Sequence, residues 1–429
     1  MRLHRLSVPR SVDTANRRAN ALHSAITLAA VDFLDPGELH WSIEAARGLA
    51  AAFRTTAAER DARGGTPKAE RDLIRASGLL RLVVPSSLGG AGGDWAVALT
   101  VVRELAVADA SLAHVLGYHY LGVATPHIFG TARQRDLAYT EVARDNLFWG
   151  NALNPLDLRT TITRQGGGLV LRGAKSFASG SGDSDRLVVS ATEDDSPALH
   201  VLVVPTRADG VTVHDDWDNM GQRQTDSGSV TFDNVTLSSE ALLGPPGPGA
   251  SPFGTLRTCI VQAILAHVYV GLARGAIVEA APYTRASARA WPARAWPGSS
   301  AAAAAEDPLV LRSYGEMETL TAGAEALCAR AANLVQAGWQ RGEMLTVEER
   351  GQIAVAVATA RASAARTALQ VTSQMFEAMG SRATSARLRY DRFWRNARTL
   401  TLHDPIEHKL REIGDWVVNG RPPTPGSYS

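Results

Sequence analysis

Apolar residues recur at helical spacing from about residue 40 to 145, in SIEAARGLAAAFRTTAAERDAR, AERDLIRASGLLRLV and WAVALTVVRELAVADASLAHVL. Returns every three to four positions place them on one face of a helix. The stretch PSSLGGAGGDW parts the second run from the third, because glycine and proline punctuate periodic segments. From about 146 to 245 the pattern shortens to β-branched runs separated by turns, as in GLVLRGAKSFASG, DRLVVSATE, ALHVLVVPT and GSVTFDNVTL; these predict strands. Beyond GPPGPGASPFG the long period returns and predicts helices over 253–289, 308–341, 346–379 and 404–419. Helices, then strands, then helices is not the alternation of a doubly wound sheet. It predicts a small β-domain between two helical domains.

Composition narrows the function class. A chain of 429 residues, 45% hydrophobic, can bury a large core, and a net charge of +1 sets up no field for nucleic acid or an anionic membrane. The basic start, residues 1–35, reads as a mobile leader. Asn16, Arg17, Arg18, Asn20 and His23 interrupt its apolar stretch, unlike the continuous core of a signal peptide. No run approaches 18 uninterrupted apolar residues, so no membrane span is expected and the protein reads as cytoplasmic. Cys259 and Cys328 lie in apolar helical contexts without a CxxC partner, which suits buried small hydrophobes and no metal or disulfide.

Nucleotide motifs do not appear. GGGLVLRGAKS carries Ala174 where a P-loop needs its lysine, so a hairpin is expected there. No GxGxxG follows a strand and opens a helix, so no built-in nicotinamide site is expected. In TLTLHDPIEHK, Asp404, Pro405 and Glu407 suit the N-cap, N1 and N3 positions of a helix. On that reading Asp404 is a cap that asparagine could replace, and His403 is left to be explained.

The segments KSFASGSGDSD (175–185), DDWDNMGQRQTDSGSVTFDNVTL (215–237) and YDRFWRNARTLTLHDP (390–405), in this helix–strand–helix order, resemble the acyl-CoA dehydrogenase superfamily. AERDARGG, RASGLL, ADASLAHVLGYH, GNALNP, GQRQTDSGS, YTRASARAW, RSYGE, DRFWRNARTLTLHDP and NGRPPTPGSYS are similar to its dibenzothiophene monooxygenase group. The resemblance implies an α+β fold: an N-terminal helical domain over 36–145, a middle β-barrel or sandwich domain over 146–245 and a C-terminal four-helix bundle over 246–429. It places Tyr118, Asn151, the Lys175–Ser179 backbone with Phe177, and Trp217 around an isoalloxazine. Phe177 and Ser179 hold the family's tryptophan and Thr/Ser places, and Gly180 replaces its asparagine. Arg289 and Arg382, with Ser381 beside it, would hold the flavin phosphate, since guanidinium forks match phosphate oxygens. His403 would face the reactive edge of the ring with His114 across from it, so His403, Ser179, His114 and Tyr118 form the expected catalytic set.

Plainer readings stand beside these. His114 and Tyr118 are four apart on one helix, Trp217 suits sheet packing, Ser179 suits a turn, and an arginine-rich chain has many solvated arginines. Where dehydrogenases carry a catalytic glutamate this chain has Asp404 followed by Pro405, which argues against dehydrogenation. His403, just ahead of a helix N-terminus, is expected to be a neutral donor. The implied enzyme is an FMNH2-dependent monooxygenase that adds oxygen at flavin C4a and passes one atom to a sulfur heterocycle such as dibenzothiophene, or to an indole- or carbazole-like ring. FMN, with FAD as an alternative, would come reduced from a separate NAD(P)H:flavin reductase to a homotetramer. An FAD-dependent acyl-CoA dehydrogenase and a non-catalytic protein of the same fold are the rivals.

Overall fold

Six helices open the computed structural model, which describes residues 39–429 apart from 194–195, 246, 248–250, 293–300 and 427. The expected leader at 1–35 lies outside the described residues. The helices are α1 (His40–Arg54), α2 (Ala57–Arg63), α3 (Lys68–Ala76), α4 (Trp95–Ala106), α5 (Ala110–Phe129) and α6 (Ala132–Asp145). The third predicted run is in fact two helices. Asp109 breaks it, its carboxylate accepting the Leu112 N–H at 3.0 Å to cap α5. Nearly every residue of α5 is buried, which is why it is apolar all round.

Seven strands follow: β1 (Trp149–Ala152), β2 (Thr160–Gln165), β3 (Gly168–Lys175), β4 (Arg186–Glu193), β5 (Ser196–Pro205), β6 (Val211–Val213) and β7 (Val230–Ser238). They form one sheet of order β1-β4-β2-β3-β7-β6, with β5 also on β4. Strands β2 and β3 pair antiparallel through Gln165 and Gly168, so the P-loop-like stretch is the expected hairpin. Leu169, Leu187, Leu202 and Phe232 are among the residues of its own apolar core.

The C-terminal helices are α7 (Pro252–Ser287), α8 (Pro308–Arg341), α9 (Val347–Met379), α10 (Asp391–Leu400) and α11 (Ile406–Asn419). By length and hydropathy α7 could cross a membrane, but 83% of its most apolar window is buried inside the protein; it is a core helix shared by both helical domains. Cys259 and Cys328 are buried and free. Helix α10 falls outside the predicted elements. Its DRFWRNARTL sequence buries only Arg392, Phe393, Ala397 and Leu400, too thin a stripe for the long period to reveal.

Helix α11 corrects the reading of Asp404. The helix begins at Ile406 with Pro405 at the cap position and no side-chain cap bond. The Asp404 carboxylate turns inward and pairs with Arg361.

Candidate active site

Where the first two turns of α7, the middle of α5, the strand β1, the loops after β3 and before β7, and the end of α10 converge, they enclose a cavity of about 840 Å³. His114, Tyr118, Asn151, Phe177, Ser179, Trp217 and His403 all line it. Seven of the residues expected from three distant parts of the chain are thus brought to one place.

Loop geometry depends on packing against helices. Gly180 has φ +75°, a left-handed conformation that glycine adopts without strain, and its N–H donates to Thr225 O at 2.7 Å. The buried Arg71 of α3 donates to Gly180 O at 3.2 Å and to Asp226 Oδ2 at 2.9 Å, so it ties both loops to the N-terminal helices. From the other side Asn396 of α10 accepts the Gln222 N–H at 2.6 Å, and Arg395 donates to Met220 O at 2.6 Å. A Cβ at Gly221 would stand 2.1 Å from the Arg395 carbonyl oxygen, so only glycine permits this approach.

The walls differ in character. Phe177, 65% exposed with φ +57°, stands at the mouth edge-on to Trp217, ring centroids 5.9 Å apart. Deeper in, Ser179 Oγ lies 2.8 Å from Ser227 Oγ, which lies 2.7 Å from Thr225 Oγ1. Leu121, Leu153, Val201, Val261 and Leu400 supply apolar surface. The C-terminal tail closes one side with Pro425, Gly426 and Tyr428, held where Lys409 meets Tyr428 O and Arg350 Nη2 donates to Ser429 O at 2.5 Å.

His403 Nδ1 lies 2.9 Å from Asp404 Oδ1, and its Nε2 lies 3.4 Å from the Tyr118 hydroxyl. The other Asp404 oxygen meets Arg361. Burial opposes the Asp404 charge, but His403 and Arg361 together hold its carboxyl well below the usual carboxylate range. An ionised Asp404 accepts a hydrogen bond from the Nδ1–H, which in the neutral ring leaves the Nε2 lone pair toward the cavity. The imidazole is therefore oriented by a carboxylate, not by a helix end, and in its neutral form it accepts where it was expected to donate.

Burial pushes the Tyr118 hydroxyl up, so it stays protonated. Burial, with His403 nearby, pushes the His114 imidazole down to about 3, so it is neutral. The His114 ring and the Gln222 amide are buried together at the cavity wall, where Gln222 is the polar side chain that interacts with His114.

Four expected cofactor residues lie elsewhere. Lys175 is buried behind the wall, its ammonium on the backbone oxygens of Asp157 and, at 3.3 Å, Asn154; it fixes the loop after β1. Arg289, Ser381 and Arg382 are exposed and do not line the cavity. Arg289 lies beyond the far end of α7, whose rise alone separates Ser287 from the cavity-lining Arg257 by about 45 Å. Gln222, Thr225, Ser227, Arg257 and Tyr428 line the cavity without having been singled out; GQRQTDSGS and PPTPGSYS held the signal for all but Arg257, at the level of segments and not of residues. No cluster of three or more metal-ligating side chains occurs among the described residues.

Comparison with known proteins gives three family matches: the acyl-CoA dehydrogenase N-terminal domain over 42–145, its middle domain over 151–235 and its C-terminal domain over 263–407. The chain is 46% identical to a probable FMNH2-dependent monooxygenase of Pseudomonas putida, over 90% of this chain and 96% of that one. It is 43% identical to the dibenzothiophene monooxygenase of Rhodococcus qingshengii, over 90% and 95%. The solved structure of a methanesulfinate monooxygenase from Pseudomonas fluorescens superposes with a TM-score of 0.87 at 47% identity, covering 90% of this chain and 99% of that one.

Proposed function

The chain belongs to the acyl-CoA dehydrogenase superfamily, alongside its FMNH2-dependent and dibenzothiophene monooxygenases, and on that premise we propose that it is the oxygenase of a two-component, cytoplasmic flavin system. It takes FMNH2 from a separate NAD(P)H:flavin reductase and places one atom of O2 on a substrate with a soft nucleophilic centre. The relatives act, by name, on a fused sulfur heterocycle and on a small sulfinate; this chain's substrate belongs to that range.

The observation that carries this reading is the direction of Asp404. At the place of the dehydrogenase base, this carboxylate is buried on Arg361 and His403, and it does not line the cavity. A base must reach its proton at hydrogen-bond distance. The group presented to the cavity is instead the Nε2 of His403.

Reduced FMN, when bound, supplies two electrons and the position at which O2 is activated. The residues present fit such a ring: an aromatic edge of Phe177 and Trp217, the hydroxyls of Ser179 and Ser227, and the Gln222 amide. His403 holds or moves a proton at Nε2, with Asp404 fixing its orientation and Tyr118 able to donate to it. The apolar side chains exclude water and so protect the reaction from loss as H2O2. Arg289 and Arg382 serve the phosphate of a neighbouring subunit's flavin in a homotetramer; their exposure and their distance from this chain's own cavity support that placement. The test is NADH consumption with FMN, O2 and a thiophene or sulfinate substrate. The protein alone should consume none and form no product, and adding a flavin reductase should start both. Product formation with acyl-CoA and an electron acceptor would instead favour the dehydrogenase.

A further inference from the structure

Arg257 has no part in the chemistry above. It stands on the second turn of α7, 8% exposed and against the cavity. Its Nε donates to Thr125 Oγ1 at 3.0 Å and its Nη2 to Asn151 Oδ1 at 3.2 Å, both neutral acceptors. Among the described residues no carboxylate pairs with it. Arg60, Arg71, Arg361 and Arg392, buried as deeply, each have one. Burial lowers the Arg257 guanidinium to about 10, so it is still charged at neutral pH. A cation in a protein interior is strongly penalised unless an anion or full hydrogen bonding compensates it. The cavity itself offers no anion. Asp218 is its one lining carboxylate, and that side chain is 95% exposed at the rim, near Arg223.

We propose that Arg257 is the anion receptor of the substrate subsite and that the substrate is a small organosulfinate, one oxygen held by the guanidinium and the sulfur turned toward Ser179 and His403. This rests on the monooxygenase reading and narrows it. A sulfinate combines the negative charge that Arg257 lacks with a sulfur lone pair that accepts oxygen. The reaction balances as RSO2⁻ + O2 + FMNH2 → RSO3⁻ + FMN + H2O. A sulfur–oxygen bond forms and the O–O bond breaks. Sulfur loses two electrons, FMNH2 loses two, and the second oxygen atom leaves as water with the two flavin hydrogens. The fused neutral heterocycle expected from the sequence resemblance would leave Arg257 unpaired.

Calorimetry on the full-length protein, with and without FMN, tests the assignment with benzenesulfinate, benzoate and neutral methyl phenyl sulfone. The wild type should bind benzenesulfinate in preference to the sulfone. Losing one charge-assisted contact should make Arg257→Met bind benzenesulfinate roughly 10- to 100-fold more weakly, with sulfone and FMN affinities unchanged and Arg257→Lys recovering part of the loss. Equal wild-type binding of sulfone and sulfinate would overturn the proposal, and that comparison needs no variant to fold. Benzoate bound more tightly than benzenesulfinate would overturn the sulfinate assignment. An Arg257→Met protein that loses FMN as strongly as benzenesulfinate would move Arg257 to the cofactor and overturn it too. Selective sulfinate binding without product from FMNH2 and O2 would leave the anion site standing and remove the monooxygenase reading.

Discussion

His403 and Asp404 stand side by side in the chain yet do different work. The imidazole faces the cavity through Nε2, and the carboxylate is buried beneath it on Arg361. His403→Ala should keep the fold and most FMN affinity and lose oxygenation, with O2 instead oxidising FMNH2 to FMN and leaving as H2O2. Removing a positioned catalytic group of this kind costs roughly 100- to 1000-fold in rate, and product yield against peroxide measures it. Asp404→Asn should not be the mild change a helix cap would allow. It leaves Arg361 buried without its carboxylate, a loss of about 3–5 kcal/mol, read by chemical denaturation. The sign with pH follows from the depressed carboxyl. The pair's stabilisation is complete above the ordinary value of 3.8 and is lost as pH falls toward the lower folded value. The gap between wild type and Asp404→Asn should therefore shrink in acid. His403 was legible from LHDP and the family resemblance. The role of Asp404 was not, because Asp-Pro-Ile-Glu satisfies helix-start grammar locally while its true partner, Arg361, is 43 residues away.

Long periodic elements were legible, with ends at Arg341 and Met379 matching the predicted 341 and 379. Short elements whose burial is set by neighbours were not. Helix α10 is ten residues with few apolar positions, yet it fixes Gln222 and Met220 through Asn396 and Arg395. Arg71 does the same from α3, and nothing in AERDLIRASGLL distinguishes it from a solvated helix arginine. Arg71→Met removes the cation between Asp226, Asp183 and Gly180. It should destabilise the protein by about 3–5 kcal/mol and weaken FMN in proportion to the loosening of both loops. A thermal melt with and without FMN checks it; an unchanged melting temperature would mean the loops hold without this tie.

At the scale of the whole molecule, the described chain builds a cavity with aromatic, hydroxyl and imidazole walls but keeps Arg289 and Arg382 on its surface. Val417 and Val418 of α11 are 74% and 80% exposed, consistent with a face covered on assembly. If Arg382 serves a neighbour's flavin, Arg382→Ala should weaken FMN by about 1.5–3 kcal/mol. Mixed tetramers of Arg382→Ala and His403→Ala chains should then regain activity that neither homotetramer has. A mixture as inactive as its parts would place Arg382 outside the neighbour's site. Sequence resemblance gave these arginines a flavin phosphate to hold, and the chain's own cavity does not include them; a site shared between subunits is a matter of assembly, which no single-chain pattern records.

The measurement that bears most directly on the monooxygenase reading is the fate of isotopically heavy O2. The protein would be given FMNH2, heavy oxygen and either benzenesulfinate or dibenzothiophene, and the product analysed by mass spectrometry. One heavy atom in the product for each FMNH2 consumed, with the other in water, is the expected result. Flavin oxidation that yields only heavy hydrogen peroxide, or product whose added oxygen comes from water, would contradict it.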